Sequence, residues 1–130
     1  LYAKGADVIF QVAGNSGNGV FRAAKEGGFY AIGVDQDQKI SAPEYDDVII
    51  CSVKKDIGST IYDVVKSYIE DEIWNGGTNW LVGMEDGYIS IAYGGADSKQ
   101  MVDDDTKKEV SGLAKKIASG SIKVDTARTM

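Results

Sequence analysis

The sequence predicts an α/β fold in three layers, with a mostly parallel β-sheet packed between helices. Short apolar runs rich in Val, Ile and Phe alternate with segments whose apolar residues recur at helical spacing. This alternation is typical of βαβ units, whose parallel strands are covered by helices on both faces. The 130 residues, 43% of them hydrophobic and 26% charged, match one globular domain spanning residues 1–130.

The first βαβ unit lies near the start of the chain. The run ADVIFQV at 6–12 has the composition of a buried strand. A glycine loop at 14–19 leads into a short helix, and the pair Gly27-Gly28 ends it. The apolar run FYAIGV at 29–34 is the next strand, and an acidic turn follows it.

The later elements are predicted from the same periodicities and from turn and cap residues. A strand is predicted at 48–52, followed by a helix from Ile57 to about Trp74 with Asp56 as its cap. Strands at 80–83 and 88–92 are predicted to form a hairpin about Glu85-Asp86-Gly87. A helix from about Asp105 to Ser119, with Gly120 as its cap, and a short strand at 122–124 complete the predicted elements.

The first five residues are typical of the last turn of a helix, with Gly5 as its cap. Because a domain rarely begins at the end of a helix, we expect this chain to be part of a longer protein. The lack of a visible signal peptide therefore carries no information about location. No apolar stretch approaches the roughly 18 residues that would span a bilayer.

The composition argues against several classes of function. Fourteen Lys and Arg residues against twenty Asp and Glu give a net charge of −6, which disfavours binding to nucleic acid. Without histidine, the Ser-His-Asp and Cys-His schemes and the usual zinc ligand are missing. The single cysteine, Cys51, lies in an apolar run and is expected to be a small buried hydrophobe. The acidic run 103–105 is predicted to start a helix rather than to bind a metal. No cofactor is predicted.

Ligands of open α/β sheets bind beyond the carboxyl ends of the strands. Three such ends are marked in this sequence: the glycine loop after Val12, the acidic turn 35–37, and residues 52–55. The stretch from Asp7 to Asp37 is therefore predicted to form a ligand-binding edge.

Gly14 opens the glycine loop, which leads into a helix N-terminus where free N–H groups favour an oxygen-rich ligand. Asp35 stands at the distance at which a dinucleotide site places its acidic residue. The loop, however, reads G-x-x-G-x-G rather than G-x-G-x-x-G, which argues against a dinucleotide cofactor. The alternative is a glycine turn that only allows helix and strand to pack closely.

Asp35 ends an apolar strand, where a carboxylate could accept two hydrogen bonds from a vicinal diol such as that of ribose. Its alternative is a loop-capping aspartate, a role that fits Asp37 better. Lys54 could donate a hydrogen bond to a ligand or form an ion pair with Asp35. The alternative interpretation is that Lys54 is a solvated lysine beyond the end of a strand. No nucleophile with a positioned base accompanies these residues, so binding without chemistry is the better hypothesis.

Aromatic side chains could also stack on a ligand, although most are expected to pack in the core. The candidates are Tyr2, Phe21, Tyr45, Trp74, Trp80 and Tyr93.

Several segments resemble the C-terminal half of the basic membrane protein family. They are GADVIFQVAGNSGNGVFRAAKE, YAIGVDQDQ, the strand ending CSVKKD, and the turn GMEDGYISIA. These proteins are substrate-binding lipoproteins of ABC transporters with the type I periplasmic-binding-protein fold, and they include purine nucleoside receptors. The match covers nearly the whole chain in the right order.

The resemblance implies a receptor of two lobes that closes on a nucleoside, this chain being the C-terminal lobe. The family's sugar contacts fall on Gly14 and Asp35, and its ligand-contacting lysine falls on Lys54. The loop reads AGNSG where AGGTG-like versions are more usual, so Asn15 changes the hydrogen bonds offered to the sugar. The implied partners are a nucleoside or related small molecule, a transporter permease and the N-terminal lobe of the same receptor. The implied location is the cell surface or the periplasm, with a lipid anchor.

Two other hypotheses stay open. The first is a sensory or regulatory ligand-binding domain of the same fold, without transport. The second is a small α/β enzyme with a nucleotide cofactor, which the displaced glycine spacing disfavours.

Overall fold

The computed structural model describes residues 1–74 and 76–124 and contains a four-stranded sheet. The strands are β1 (Val8–Phe10), β2 (Tyr30–Asp35), β3 (Ile49–Lys55) and β4 (Ile89–Ala92). They lie side by side in the order β1-β2-β3-β4. The first three run parallel and β4 runs antiparallel to β3, so the predicted α/β class with a mostly parallel sheet is confirmed.

Four α-helices connect or follow the strands. They are α1 (Asn18–Gly27), α2 (Gln38–Ser41), α3 (Ile57–Glu70) and α4 (Asp104–Ala118). Single 3₁₀ turns at Tyr2–Lys4, Gly14–Gly17 and Pro43–Tyr45 complete the described elements. The predicted caps Gly5 and Gly120 have left-handed φ angles, and so does Gly28 of the predicted Gly27-Gly28 helix end.

The chain divides into two compact units. Unit 1 comprises residues 1–56 and 89–103 and holds the whole sheet, and unit 2 comprises residues 57–88 and 104–130. The prediction of one domain over residues 1–130, with helices covering both sheet faces, stays a prediction.

The core of unit 1 forms where α1 packs on the sheet. Phe21 and Ala24 project from α1 toward Ala31 and Ile49, and all four are fully buried. The spacing of Phe21 and Ala24 at i and i+3 places both on one face of the helix. Tyr45 packs against Phe21 at a ring distance of 5.9 Å, which closes one side of this core.

Unit 2 consists of α3, the segment that follows it and α4. The Asp103–Asp105 run lies at the start of α4, as predicted. A turn forms about Asp86, whose Oδ2 accepts a hydrogen bond from Gly83 N at 2.8 Å. No described residue of unit 2 is buried.

Four sequence predictions about these elements are wrong. The hairpin does not form, because 80–83 has no strand and β4 pairs instead with β3. Residues 122–124 form no strand, and α3 ends at Glu70 rather than near Trp74. The helix α2 lies in a segment predicted to be irregular, since four residues are too few to show a helical period.

Candidate functional site

The carboxyl ends of the three parallel strands meet at one edge of the sheet in unit 1. Gly14 follows β1, Asp35 is the last residue of β2, and Lys54 is the last but one of β3. Asp35 and Lys54 are direct register partners across β2 and β3. The structure therefore brings Asp35 and Lys54 side by side, and it places Gly14 in the loop at the same edge.

Gly14 begins the helical segment that leads into α1. Its φ angle is +52°, while a Cβ atom built there would meet nothing within 4 Å. Glycine is therefore needed for the backbone angle rather than for space. The preceding Ala13 gives no side-chain cap, which leaves the first amides of the segment available to an oxygen ligand.

Asp35 has an unusual backbone for a strand residue. Its φ angle of 70° lies in the left-handed region, which aspartate tolerates better than most residues. A side chain on such a backbone leaves the alternating pattern of the strand. Because of this turn, Asp35 meets Lys55 rather than Lys54, and Lys55 Nζ lies 2.7 Å from Asp35 Oδ1.

The sequence analysis allowed Lys54 to pair with Asp35, and the structure corrects this. The ion pair is made by Lys55, with both side chains nearly half exposed. No ion pair to Lys54 is found in the part of the chain that the structure describes. In the same part, Asp35 Oδ1 is shielded from solvent and makes no hydrogen bond of good geometry beyond this ion pair.

Asp37 is a structural cap, as its alternative reading predicted. Its Oδ1 accepts a hydrogen bond from Lys39 N at 3.2 Å at the start of α2. Its Oδ2 accepts one from Gly94 N at 3.0 Å, beyond the end of β4. Both oxygens are therefore used in holding the edge together.

Two buried glutamines, which the sequence analysis missed, tie the strand ends to one another. Gln11 Nε2 donates to Gln38 Oε1 at 2.7 Å, and the same oxygen accepts from Val34 N at 2.8 Å. Gln11 Oε1 accepts from Ala13 N at 3.0 Å, just before the glycine loop. Gln38 N donates to Ser52 Oγ at 3.0 Å. We call Gln11, Gln38 and Ser52 the polar network.

Two glycines make room for the polar network. A Cβ atom at Gly17 would lie 2.2 Å from Gln11 Oε1, and one at Gly33 would lie 2.5 Å from Ser52 Oγ. A glycine inside the strand run FYAIGV is the sequence signal for such a close approach. The network fixes the backbone beside Gly14 and Asp35, because Gln11 holds the amide of Ala13 and Gln38 holds that of Val34.

A second polar cluster lies beneath the loop after β4. The fully buried Lys39 Nζ donates to Ile49 O at 2.7 Å and lies 3.0 Å from Asp46 Oδ1, while Lys99 N donates to Asp46 Oδ2 at 2.6 Å. Burial alone would raise the pKa of the Asp46 carboxyl, but the hydrogen bonds from Lys99 and Lys39 outweigh it and lower that pKa below its usual value. This cluster is structural, since its charges satisfy each other.

Cys51 lies within β3. It is partly buried, whereas the sequence predicted a buried small hydrophobe. Burial raises the pKa of its thiol. Among residues 1–74 and 76–124, no His, Cys, Asp or Glu side chains group to hold a metal ion. Within the same residues, no helix is long and apolar enough to cross a membrane.

The candidate aromatic residues are mainly packing residues. Tyr2 stacks on Phe29 at a ring distance of 4.6 Å, and Phe21 is in the core. In unit 2, Trp74 and Trp80 make edge contacts with Tyr68 and Tyr88.

Comparison with known families identifies the chain. A family model described as ABC transporter substrate-binding protein PnrA-like matches residues 1–128. The chain belongs to this family. The resemblance to basic membrane proteins found in the sequence is thereby confirmed, since curated basic membrane proteins are among its relatives.

Relatives within the PnrA-like family match over different lengths. Basic membrane protein D of Borreliella burgdorferi strain JD1 is 47% identical over 90 residues, which are 67% of this chain and 26% of that protein. Basic membrane protein C of Borreliella burgdorferi strain N40 is 39% identical over 117 residues, 88% of this chain and 31% of that protein. The chain thus spans about a quarter to a third of the length of these relatives.

Two solved structures share the fold of this PnrA-like chain. A solute-binding protein of an ABC transporter system from Conexibacter woesei matches with a TM-score of 0.66 at 22% identity, over 95% of this chain and 39% of that one. A transcriptional activator of the comK gene from Bacillus halodurans matches with a TM-score of 0.76 at 19% identity, over 93% and 40%. At these identities the likeness concerns the fold alone.

Proposed function

We propose that this chain is part of the substrate-binding component of an ABC importer and contributes half of a site for a nucleoside, a purine nucleoside in the first instance. Membership of the PnrA-like family supports the solute-binding role, and the geometry at Asp35 supports a ligand with neighbouring hydroxyl groups. In this proposal the receptor binds without chemistry.

The observation that carries the proposal is the state of the Asp35 carboxylate. It stands at the carboxyl edge of the parallel sheet, on a left-handed backbone, and among the described residues its Oδ1 has only the ion pair with Lys55. A backbone of this kind costs free energy and persists where the surroundings impose it, which is common at ligand sites. Two hydroxyl donors on adjacent carbons match the two oxygens of a carboxylate.

Gly14 and Lys54 complete the sugar side of the proposed site. Gly14 offers the uncapped amides at the start of the helical segment, and Lys54 offers an ammonium group in register with Asp35. Lys55 takes a role that the sequence did not assign. It forms an ion pair with Asp35, so a ligand hydroxyl has to share or displace that contact.

The polar network supports this proposal as the device that holds the three contacts in place. Gln11 and Gln38 are 3% and 8% exposed, and their side-chain oxygens accept hydrogen bonds from the amides of Ala13 and Val34, which precede Gly14 and Asp35. A site whose loops are held before the ligand arrives loses less entropy on binding. We infer that the edge is preorganised in unit 1.

We also propose that the other half of the site lies on a second lobe and that the receptor delivers its ligand to a transporter permease. The proposed location is the cell surface or the periplasm. One edge of a sheet leaves much of a ligand in water, whereas ligand sites bury most of the ligand surface. We therefore expect weak or undetectable nucleoside binding by these 130 residues alone. Calorimetry with adenosine, guanosine and inosine that gave micromolar affinity for them would contradict the need for a second lobe.

A regulatory ligand-binding domain of the same fold is the second candidate. The fold is shared with a protein described as a transcriptional activator, so the fold by itself does not separate transport from regulation. The sequence that precedes Leu1 separates them. A signal peptide with a lipid-attachment cysteine supports the receptor, and a helix-turn-helix segment supports the regulator.

The test of the proposed site is Asp35→Ala in the full-length receptor. Losing a charged hydrogen-bonding partner should weaken nucleoside binding by about 2 kcal/mol, or roughly thirtyfold in Kd. Asp47→Ala is the matched control, because Asp47 pairs with Lys25 at 3.0 Å with a similar exposure. Equal affinities for the two variants would remove Asp35 from the site.

A further inference from the structure

Asp35, whose carboxylate carries the proposed function, lies at the centre of a γ-turn. Gln36 N donates a hydrogen bond to Val34 O at 2.9 Å, which closes a three-residue turn around Asp35. The φ angle of Asp35 is 70°, and a γ-turn with a positive φ at its centre is rare and strained. Such a backbone persists only where the surrounding structure imposes it, so the strain at Asp35 needs a source.

The residues on both sides of this γ-turn are fixed. Before it, Val34 is 4% exposed, and its N donates to Gln38 Oε1 at 2.8 Å. After it, Asp37 accepts a hydrogen bond from the backbone at the start of α2. Only Asp35 and the exposed Gln36 lie between these two fixed points. The backbone conformation of Asp35 is therefore set by where the two points lie.

Asp37 also joins the downstream side of the γ-turn to the loop after β4. Its Oδ2 accepts from Gly94 N at 3.0 Å, across 57 positions of sequence. Gly94 has a φ angle of +92°, and a Cβ atom there would lie 2.4 Å from Ser98 Cβ, so this position requires glycine. Lys99 N donates to Asp46 Oδ2 at 2.6 Å and holds the far end of the same loop. The partner of Asp37 is thus a fixed amide.

We propose that Asp37 is a positioning residue, which acts on the ligand through Asp35. Its carboxylate holds the downstream side of the γ-turn and so keeps Asp35 in the strained conformation at the carboxyl edge of the sheet. A carboxylate that is held before binding loses less entropy when it accepts hydrogen bonds from a diol. The ligand part of this inference rests on the proposed function, in which Asp35 binds neighbouring hydroxyl groups.

The experiment compares adenosine with 2′-deoxyadenosine by titration calorimetry of the full-length receptor. Because 2′-deoxyadenosine lacks one hydroxyl of the diol, wild type should prefer adenosine by about tenfold or more. If Asp37 positions Asp35, Asp37→Ala should reduce this preference to about twofold or less, mainly by weakening adenosine. Asp37→Asn keeps one acceptor oxygen and should give an intermediate preference.

Asp46→Ala is the matched control, because Asp46 holds the same loop through Lys99 N rather than through Gly94 N. This variant should lose stability yet keep the preference for adenosine. An equal loss of preference in the Asp46 and Asp37 variants would overturn the positioning role. A preference that survives Asp37→Ala but disappears in Asp35→Ala would overturn it as well, and would leave the proposed function intact. Wild type that does not prefer adenosine contradicts the diol contact of the proposed function.

A measurement without ligand tests the positioning role whatever the receptor binds. Asp35→Gly and Asp35→Ala both remove the carboxylate, but only glycine adopts a positive φ without strain. In the full-length protein, Asp35→Gly should therefore melt about 2 °C or more above Asp35→Ala. Adding Asp37→Ala to each should abolish this difference, because a released turn relaxes and glycine then only adds entropy to the unfolded chain.

A difference in Tm that persists without Asp37 would show that the strain at Asp35 has another source, and it would overturn the proposal. If Asp37→Ala fails to fold, Asp37→Asn replaces it in both measurements. The Asn variant should then reduce both the preference for adenosine and the difference in Tm, and no reduction in either would contradict the proposal.

Discussion

Unit 1 and unit 2 both contain amphipathic helices but differ in burial. Unit 1 contains every buried residue among those described, including Phe21 and Ile49 with no exposed surface. Unit 2 has two longer amphipathic helices, and none of its described residues is buried. An amphipathic helical pattern and a hydrophobic core are therefore separate properties. The apolar face of a helix becomes part of a core only when another element packs against it.

The largest expected difference between the units comes from truncating one isoleucine in each. Ile49→Ala in unit 1 should lower the free energy of unfolding of the 130-residue chain by about 3 kcal/mol, because it opens a cavity in a packed core. Ile69→Ala in unit 2 removes a side chain that is 70% exposed, and we expect a change within about 0.5 kcal/mol. Urea unfolding measures both, and equal losses would remove the contrast between the units.

A smaller loss is expected when the polar network of unit 1 is broken. Gln38→Met leaves Val34 N and the Gln11 amide without their acceptor in a buried site, which should cost about 2 to 3 kcal/mol. Gln36→Met is the control, because Gln36 is exposed. Chemical denaturation of the two variants tests this, and a Gln38 variant as stable as the control would show that the network does not support the edge.

Asp46→Asn should cost about 2 kcal/mol at pH 7, because it leaves the buried Lys39 ammonium without its carboxylate. The pKa of the Asp46 carboxyl is lowered in the folded chain. Its charge therefore stabilises the fold fully above the usual aspartate pKa of about 3.9. This contribution to the free energy of unfolding disappears as the pH falls through the pKa of Asp46 in the folded chain. Wild type and variant should therefore converge in stability only once the pH falls below the lowered pKa of Asp46 in the folded chain. Asp47→Asn, beside it in an exposed pair, should stay close to wild type at both pH values.

The smallest effect concerns the two lysines at the end of β3. Lys55→Ala removes a half-exposed ion pair with Asp35 and should change nucleoside affinity of the full-length receptor by no more than about fivefold, or 1 kcal/mol. Lys54→Ala should cost about tenfold if Lys54 contacts the ligand. Lys66→Ala in α3 serves as the control outside unit 1. Titration calorimetry with a larger loss at Lys55 than at Lys54 would reassign the ligand contact.

Much of the fold could be predicted because local signals and tertiary packing agree. The strand at 29–34 and the caps Gly5, Gly28 and Gly120 follow from apolar runs and from glycine's freedom at positive φ. The hairpin at 80–92 could not be excluded locally, since Asp86-Gly87 forms a turn whether or not strands flank it. Strand pairing is a long-range choice, and here β3 offered β4 a free edge.

The candidate site divides in the same way. That Asp35 and Lys54 lie at one edge followed from two parallel strands, and their register confirms it. That Lys55 holds Asp35, and that Gln11 and Gln38 connect the loops, could not be predicted. The first depends on the left-handed backbone of Asp35. The second depends on a contact between Gln11 and Gln38, which are 27 positions apart.

The sequence by itself determined the α/β class, the helical faces and the edge that carries Asp35, because apolar periodicity and glycine positions act over a few residues. Only the tertiary structure decided which lysine meets that carboxylate, which glutamines hold its loop, and which amphipathic face stays uncovered. These outcomes depend on what packs against each element, and a periodic pattern specifies a face to bury without specifying its partner.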